Sequence, residues 1–319
     1  MKKIKLIVLM TAVALGAFIA GCATEQNDTE GLSAAQTTET SQVEQTEQEA
    51  TSALDILTDT NWQGTDVYDA QGNDLTAENQ EFISLAKFDK ETGFYEFFDQ
   101  ESGETKEDSG TFFVTNDDQK RILISETQDY QAVVDITEIT EDIFTYKRMG
   151  EDADGNEVEV FVEHVPYDTT ELEFTEGREA MDAETGPIET DVDGDELLSE
   201  TLWNGTKVED KEGNDVTEAN QEFISLAKFD GSTNKYEFFD LETGETRDDF
   251  GYYSVLFNNK LRAHVSIGEN EYGAALELTE FNDERFTYKR MGEDAEGNEI
   301  EIFVEHEPYT GEFTPEFTF

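Results

Sequence analysis

Three histidines, one cysteine and two tryptophans are the residues of this 319-residue chain scarce enough to mark a site. His164 and His306 hold equivalent places in two copies of one sequence, each followed three residues later by a tyrosine, Tyr167 and Tyr309. An imidazole with a phenol nearby can bind a ligand or a metal. Strand alternation puts Val158, Val160, Val162 and His164 on one face and Glu159, Phe161 and Glu163 on the other. With the valine face inward, His164 is expected at the mouth of a barrel interior, with Tyr167 sharing the site; His306 and Tyr309 repeat the arrangement. The plainer reading is a buried structural histidine, and the sequence favours it. His264 has Leu123 at its equivalent in the other copy, which argues against a site role.

The acidic loops offer less. Asp152-Ala-Asp-Gly-Asn-Glu157 has the look of a calcium loop, but an EF-hand needs glycine at its sixth position and glutamate at its twelfth. Here Gly155 is fourth, and the second copy has Glu296 in place of Asp154. Asp-Gly and Glu-Gly between two strand patterns read as hairpin turns. Asp191-Val-Asp-Gly-Asp-Glu196 is a similarly weak match. A single cysteine excludes a Cys-rich zinc site, and a multi-histidine site would have to draw on distant segments. No metal or cofactor is expected. No nucleophile elbow, His-Glu-x-x-His or phosphate loop occurs, and among 77 acidic residues no carboxylate pair stands out. The expectation is a protein that is not an enzyme.

Charge narrows the partners. Against those 77 acids stand 21 lysines and arginines, a net charge of −56. A nucleic-acid partner needs a basic face, as does a basic membrane-surface helix, and neither is present. Such acidity often means disorder. Here 23 Phe and 11 Tyr argue instead for aromatic-rich domains between acidic tethers.

The N-terminus reads as an export signal. Lys2, Lys3 and Lys5 precede an apolar stretch from Ile4 to Ala20, too short and too soon followed by polar chain for a comfortable membrane span. It ends Ile19-Ala-Gly-Cys22, which resembles the lipobox of bacterial lipoproteins. The resemblance implies a signal peptide over 1–21, a diacylglyceryl thioether on Cys22 with a fatty acyl chain such as palmitate, and anchoring at the extracellular face of the cell membrane. Residues 22–53, rich in Thr, Gln, Glu and Ser, read as an acidic disordered tether. Val13 to Gly21 also has the apolar character of peptide pheromones cut from such signals.

The remainder is one unit written twice. Asn79 to Asp89 recurs unchanged as Asn220 to Asp230, Thr145 to Ala153 as Thr287 to Ala295, and Phe161-Val-Glu-His164 as Phe303 to His306. Two domains follow, 54–175 and 197–319, joined by a linker over 176–196. Helical periodicity is weak; runs of Phe, Tyr, Val, Ile and Thr alternate with turn residues. Strands are expected near 62–68, 82–89, 94–99, 109–115, 120–126, 130–139, 142–149 and 157–165, with a helical turn before Phe82. Eight sequential antiparallel strands suit an up-and-down β-barrel, whose closure removes exposed edges. The fold class is all-β, two tandem barrels.

With Trp62-Gln-Gly opening strand one and Phe144-Thr-Tyr-Lys-Arg148 near the end, the chain resembles the tandem-domain lipoproteins of low-GC Gram-positive bacteria, whose domains of unknown function look lipocalin-like. The resemblance implies an arginine stacked on the first-strand tryptophan, Arg148 on Trp62 and Arg290 on Trp203. It implies no particular ligand. The expected function is a membrane-anchored, non-enzymatic protein whose barrels bind a small apolar ligand. The alternative is a surface module binding a protein, its acidity suiting a cationic partner.

Overall fold

The computed structural model describes residues 51–168, 172–176 and 186–319. The signal peptide, Cys22 and all but the last residues of the tether lie outside the described residues. Strands β1 (Asn61–Asp69), β2 (Leu85–Asp89), β3 (Phe94–Phe98), β4 (Thr105–Val114), β5 (Lys120–Ser125), β6 (Tyr130–Ile139), β7 (Phe144–Glu151) and β8 (Glu157–Tyr167) pair in sequence order, and β8 closes on β1. The second copy repeats this with β9 (Trp203–Asp210), β10 (Leu226–Asp230), β11 (Lys235–Phe239), β12 (Thr246–Leu256), β13 (Leu261–Ser266), β14 (Tyr272–Phe281), β15 (Phe286–Glu293) and β16 (Glu299–Pro308), closed by β16 on β9. The chain is two closed eight-stranded antiparallel barrels in tandem. Closure pairs every strand on both sides, so the backbone of these Phe- and Val-rich strands leaves no open edge.

Because hairpin loops alternate between the two ends of such a barrel, each barrel has two distinct ends. One is filled by a short helix that sequence periodicity does not disclose. Helix α1 (Ala53–Asp59) and its counterpart α2 (Gly194–Ser199) are too short to show an amphipathic repeat. Ser52 caps α1 by accepting the Asp55 amide, and Asp193 caps α2 at the Asp195 amide. What holds these helices is docking. Leu57 and Leu198 are fully buried, and their carbonyls accept the indole N–H of Trp62 at 2.9 Å and of Trp203 at 2.8 Å. The segment read as a linker over 176–196 is therefore partly folded. Ile188 and Val192 pack on the second core, and the Ile188 amide donates to Asn258.

The opposite end is covered by the long β1–β2 and β9–β10 connections, each carrying a 3-10 turn, Gln80–Phe82 and Thr217–Phe223. Asn79 and Asn220, both fully buried, pin these turns to the far rim. Asn79 donates to Glu151 O at 2.9 Å and accepts the Glu151 amide at 2.8 Å. Asn220 does the same with Glu293 at 2.8 and 2.9 Å. Between the two ends lie the cores, Trp62, Phe88, Tyr95, Phe112, Phe144 and Val162 in one barrel, Trp203, Phe229, Tyr236, Tyr253, Phe286 and Val304 in the other. Each such side chain contributes on the order of 1.5–3 kcal/mol of burial. A third apolar cluster joins the barrels: Phe113, Ile122 and Ile124 meet Tyr252, Ala263 and Val265.

Candidate functional site

The second barrel holds a partly open cavity of about 340 Å³ at the 3-10 turn, within the range of small-molecule sites. Its rim is formed by Phe223 and Arg290, and its depth by Arg262, His264, Tyr288 and His306. Strand alternation builds this arrangement: Arg262 and His264 are two apart on β13 and share the inward face. Arg262 is 2% exposed, and its guanidinium lies 4.4 Å from the Tyr288 ring centre and 5.6 Å from that of Phe286. Its Nε and Nη1 have no hydrogen-bond partner. Asp249, also in the lining, accepts from the hydroxyls of Tyr236 and Tyr272 at 3.0 Å each. Burial, with the nearby Asp249 carboxylate, pushes the Tyr272 hydroxyl above its usual range, so the pair is a neutral phenol donating to a carboxylate.

The histidines are neutral. Burial pushes His306 down to about 3, the Arg262 charge adding to the effect, and burial likewise holds His264 well below the usual imidazole range. In the first barrel His164 is pushed down to about 3 by burial and Arg121. His306 stacks on Phe286 with ring centres 4.4 Å apart, and His164 lies between Phe144 and Tyr146 at 5.5 and 5.4 Å. Nδ1 of all three is without a partner. His164 and His306 thus face the barrel interiors, but at depth rather than at a mouth, since the near end is filled by α1 or α2.

Tyr167 and Tyr309 are not brought to these histidines. Three residues is an odd step along a strand, so Tyr167 faces outward, where it packs against Leu85, Phe98 and Leu172. Tyr309 lies past the end of β16, against a separate surface depression with Leu202, Lys228 and Phe313. The tryptophan–arginine cap is corrected as well. Trp62 sits opposite Pro166 on β8 and Arg148 opposite Val160, six residues apart and thus roughly 20 Å along the strand. Arg148 instead stacks on Phe82 of the 3-10 turn, 3.9 Å from its centre, and Arg290 on Phe223 at 3.8 Å. The arginine cap exists, at the other end of each barrel and on a phenylalanine.

Sequence reasoning missed Arg121 and Arg262, the deep cations, and set His264 aside. The available signal was a cation inside an apolar strand in both copies, Arg121-Ile-Leu-Ile-Ser125 and Arg262-Ala-His-Val-Ser266. In the first barrel Arg121 lies 4.3 Å from the Tyr146 ring centre, and Asp108 accepts from Tyr95, Ser125 and Tyr130. The calcium-like loops are turns. Asp152 accepts the amides of Asp154 and Asn156, with Gly155 at φ +77°, and Asp294 does the same for Glu296 and Asn298. No cluster of three or more metal-ligating side chains occurs among the described residues.

Side chains from six strands, β11 to β16, line the cavity of this closed barrel. The family model for a domain of unknown function, DUF4822, matches residues 54–174 and 195–317. The chain belongs to that family, with two tandem copies of its domain. No curated protein matches the chain.

Proposed function

We propose that this chain is a lipid-anchored protein of the extracellular membrane face that binds a small molecule inside its second barrel, without catalysing a reaction. The observation that carries the binding reading is the cavity of about 340 Å³ under the 3-10 turn, into which Arg262, His264 and His306 converge. A barrel interior is a common place for one small ligand. At roughly 30 Å³ per water, the space equals about ten waters, which suits a compact ligand better than a long acyl chain. The lining mixes aromatic and charged groups, so the occupant is amphipathic rather than wholly apolar. The anchoring reading rests on the join of Lys2, Lys3 and Lys5, the apolar run and Ile19-Ala-Gly-Cys22.

Each half has its own test. Cys22→Ala should move the protein from the membrane fraction to the medium or the soluble fraction; full retention on the membrane would remove the lipid anchor. Fractionated small-molecule extracts of the host should include one that raises the protein's melting temperature, because a ligand bound only by the folded state stabilises it. Absence of a shift with every fraction would remove the binding reading.

A further inference from the structure

The cavity is cationic in a protein that is otherwise polyanionic. Three of the chain's seven arginines, Arg247, Arg262 and Arg290, line it, against two carboxylates, Glu222 and Asp249. The two rim arginines are already engaged: Arg290 stacks on Phe223, and Arg247 donates to Ile224 O at 3.2 Å. Arg262 is different. It is buried, no carboxylate comes within ion-pairing distance of it among the described residues, and two of its nitrogens are without partners. A buried guanidinium without a counter-ion is costly, and removing a charge's partner inside a protein costs several kcal/mol. The aromatic faces of Tyr288 and Phe286 offset part of that cost but supply no acceptor to the free N–H groups. One acid of the lining, Asp249, already accepts two tyrosine hydroxyls.

We infer that the second barrel binds a small organic oxyanion, its acidic head against Arg262 and His264 and its apolar body against Phe223, Phe238 and Tyr288. The inference rests on the proposed binding role of the cavity and specifies the ligand's charge. A carboxylate or a phosphate supplies what the free donors lack, and Arg is the side chain best matched to either. His264 is what sets this barrel apart, since Leu123 occupies its place beside Arg121 in the first. The assignment is therefore to one site per chain.

The test is calorimetric titration of the full chain with probes of one shape and different heads: 1-naphthoate, 1-naphthyl phosphate and neutral 1-naphthamide. One equivalent of an acidic probe should bind at least tenfold more tightly than the amide. Whichever acid binds more tightly distinguishes carboxylate from phosphate. Arg262→Met should abolish the preference for the acid, His264→Leu should weaken it, and Arg121→Met should leave it in place. Because Arg262→Met removes an uncompensated cation, its melting temperature should equal or exceed that of the parent, so loss of binding will not reflect loss of fold. Should the variant unfold, Arg262→Lys, which keeps the charge, must retain a weaker preference for the acid. Equal binding of acid and amide would overturn the oxyanion assignment while leaving the cavity a ligand site. Binding of neither would overturn both. A preference that survives Arg262→Met and disappears with Arg121→Met would place the site in the wrong barrel.

Discussion

Single side chains decide how each barrel is closed and how it responds to pH. The stack of Arg148 on Phe82 is partly exposed, which sets its worth at about 0.5–1 kcal/mol. A double-mutant cycle of Arg148→Met with Phe82→Leu, read by urea unfolding, should show coupling of that size, whereas Arg148→Met with Trp62→Phe should be additive. Coupling to Trp62 would contradict the register of β7 on β8. A second residue, Asp195, is buried where α2 meets β12 and the turn before β11. It accepts from the Val255 amide, Ser254 and Asn234, yet burial pushes its carboxyl up to about 7. A carboxyl whose folded pKa is raised binds its proton more tightly in the folded state than in the unfolded. Its contribution to stability therefore rises as pH falls from about 7 toward the ordinary carboxylate value of about 3.8, and is lost as pH climbs through 7. The parent should gain stability between pH 8 and pH 5, and Asp195→Asn should flatten that rise, whatever it does to absolute stability. An unchanged slope would show that this carboxyl is ionised throughout. None of this was legible in the chain: an Asp in an acidic stretch gives no sign that it will be buried, and Trp62 gives no sign of which end its strand will occupy.

At the level of elements, the strands were legible and the closures were not. Runs of Phe, Tyr, Val, Ile and Thr bounded by turn residues located all eight strands of the first copy, to within two residues at most ends. The start of β4 at Thr105 escaped because its first residues, Lys106 and Glu107, are exposed and a bulge at Phe97/Phe98 breaks the alternation. The helices α1 and α2 escaped because one buried turn has no period. A third closure lies after the last strand of each copy. The segment Glu173-Phe-Thr175 lies along the outside of β3, where the Thr175 amide and hydroxyl donate to Glu96 at 2.8 Å each; Glu316-Phe-Thr318 repeats this on β11 with Glu237, again at 2.8 Å. Both glutamates are fully buried, and Lys87 and Lys228 sit over Phe174 and Phe317. Removing the hydroxyl alone, as in Thr318→Val, strips one bond from a buried carboxylate and should cost about 1–3 kcal/mol. Adding Glu237→Gln should recover part of that loss. A Thr318→Val protein as stable as the parent, by denaturant unfolding, would mean that the strap is ornamental.

For the molecule as a whole, the duplication was plain in the sequence, but the packing of one copy on the other was not. The shared apolar cluster uses matching places on both barrels: Ile122 and Ala263 are equivalents, as are Ile124 and Val265, so the two copies meet through the same sheet face. Alternation misleads on these strands: Arg121, Leu123 and Ser125, and Arg262, His264 and Ser266, turn inward, while the more apolar side meets the neighbouring barrel. Around it, Asn116 of the first barrel donates from its amide to Asn234 and from its side chain to Gly231 of the second. Separately expressed segments 51–176 and 186–319 should each unfold cooperatively with β-type circular dichroism, and should associate with each other when mixed. Phe113→Glu should abolish that association in light scattering without unfolding the first segment; segments that fold but never associate would show that the interface contributes nothing.

The central claim, that the second barrel holds one small acidic molecule at Arg262, has its most direct test in native mass spectrometry of the full chain isolated from its host. The parent should carry one non-covalent adduct per chain, of mass suited to a cavity of about 340 Å³, and folded Arg262→Met should carry none. Parent protein that flies without an adduct, while denaturing extraction of the same sample releases no small acid, would contradict the claim.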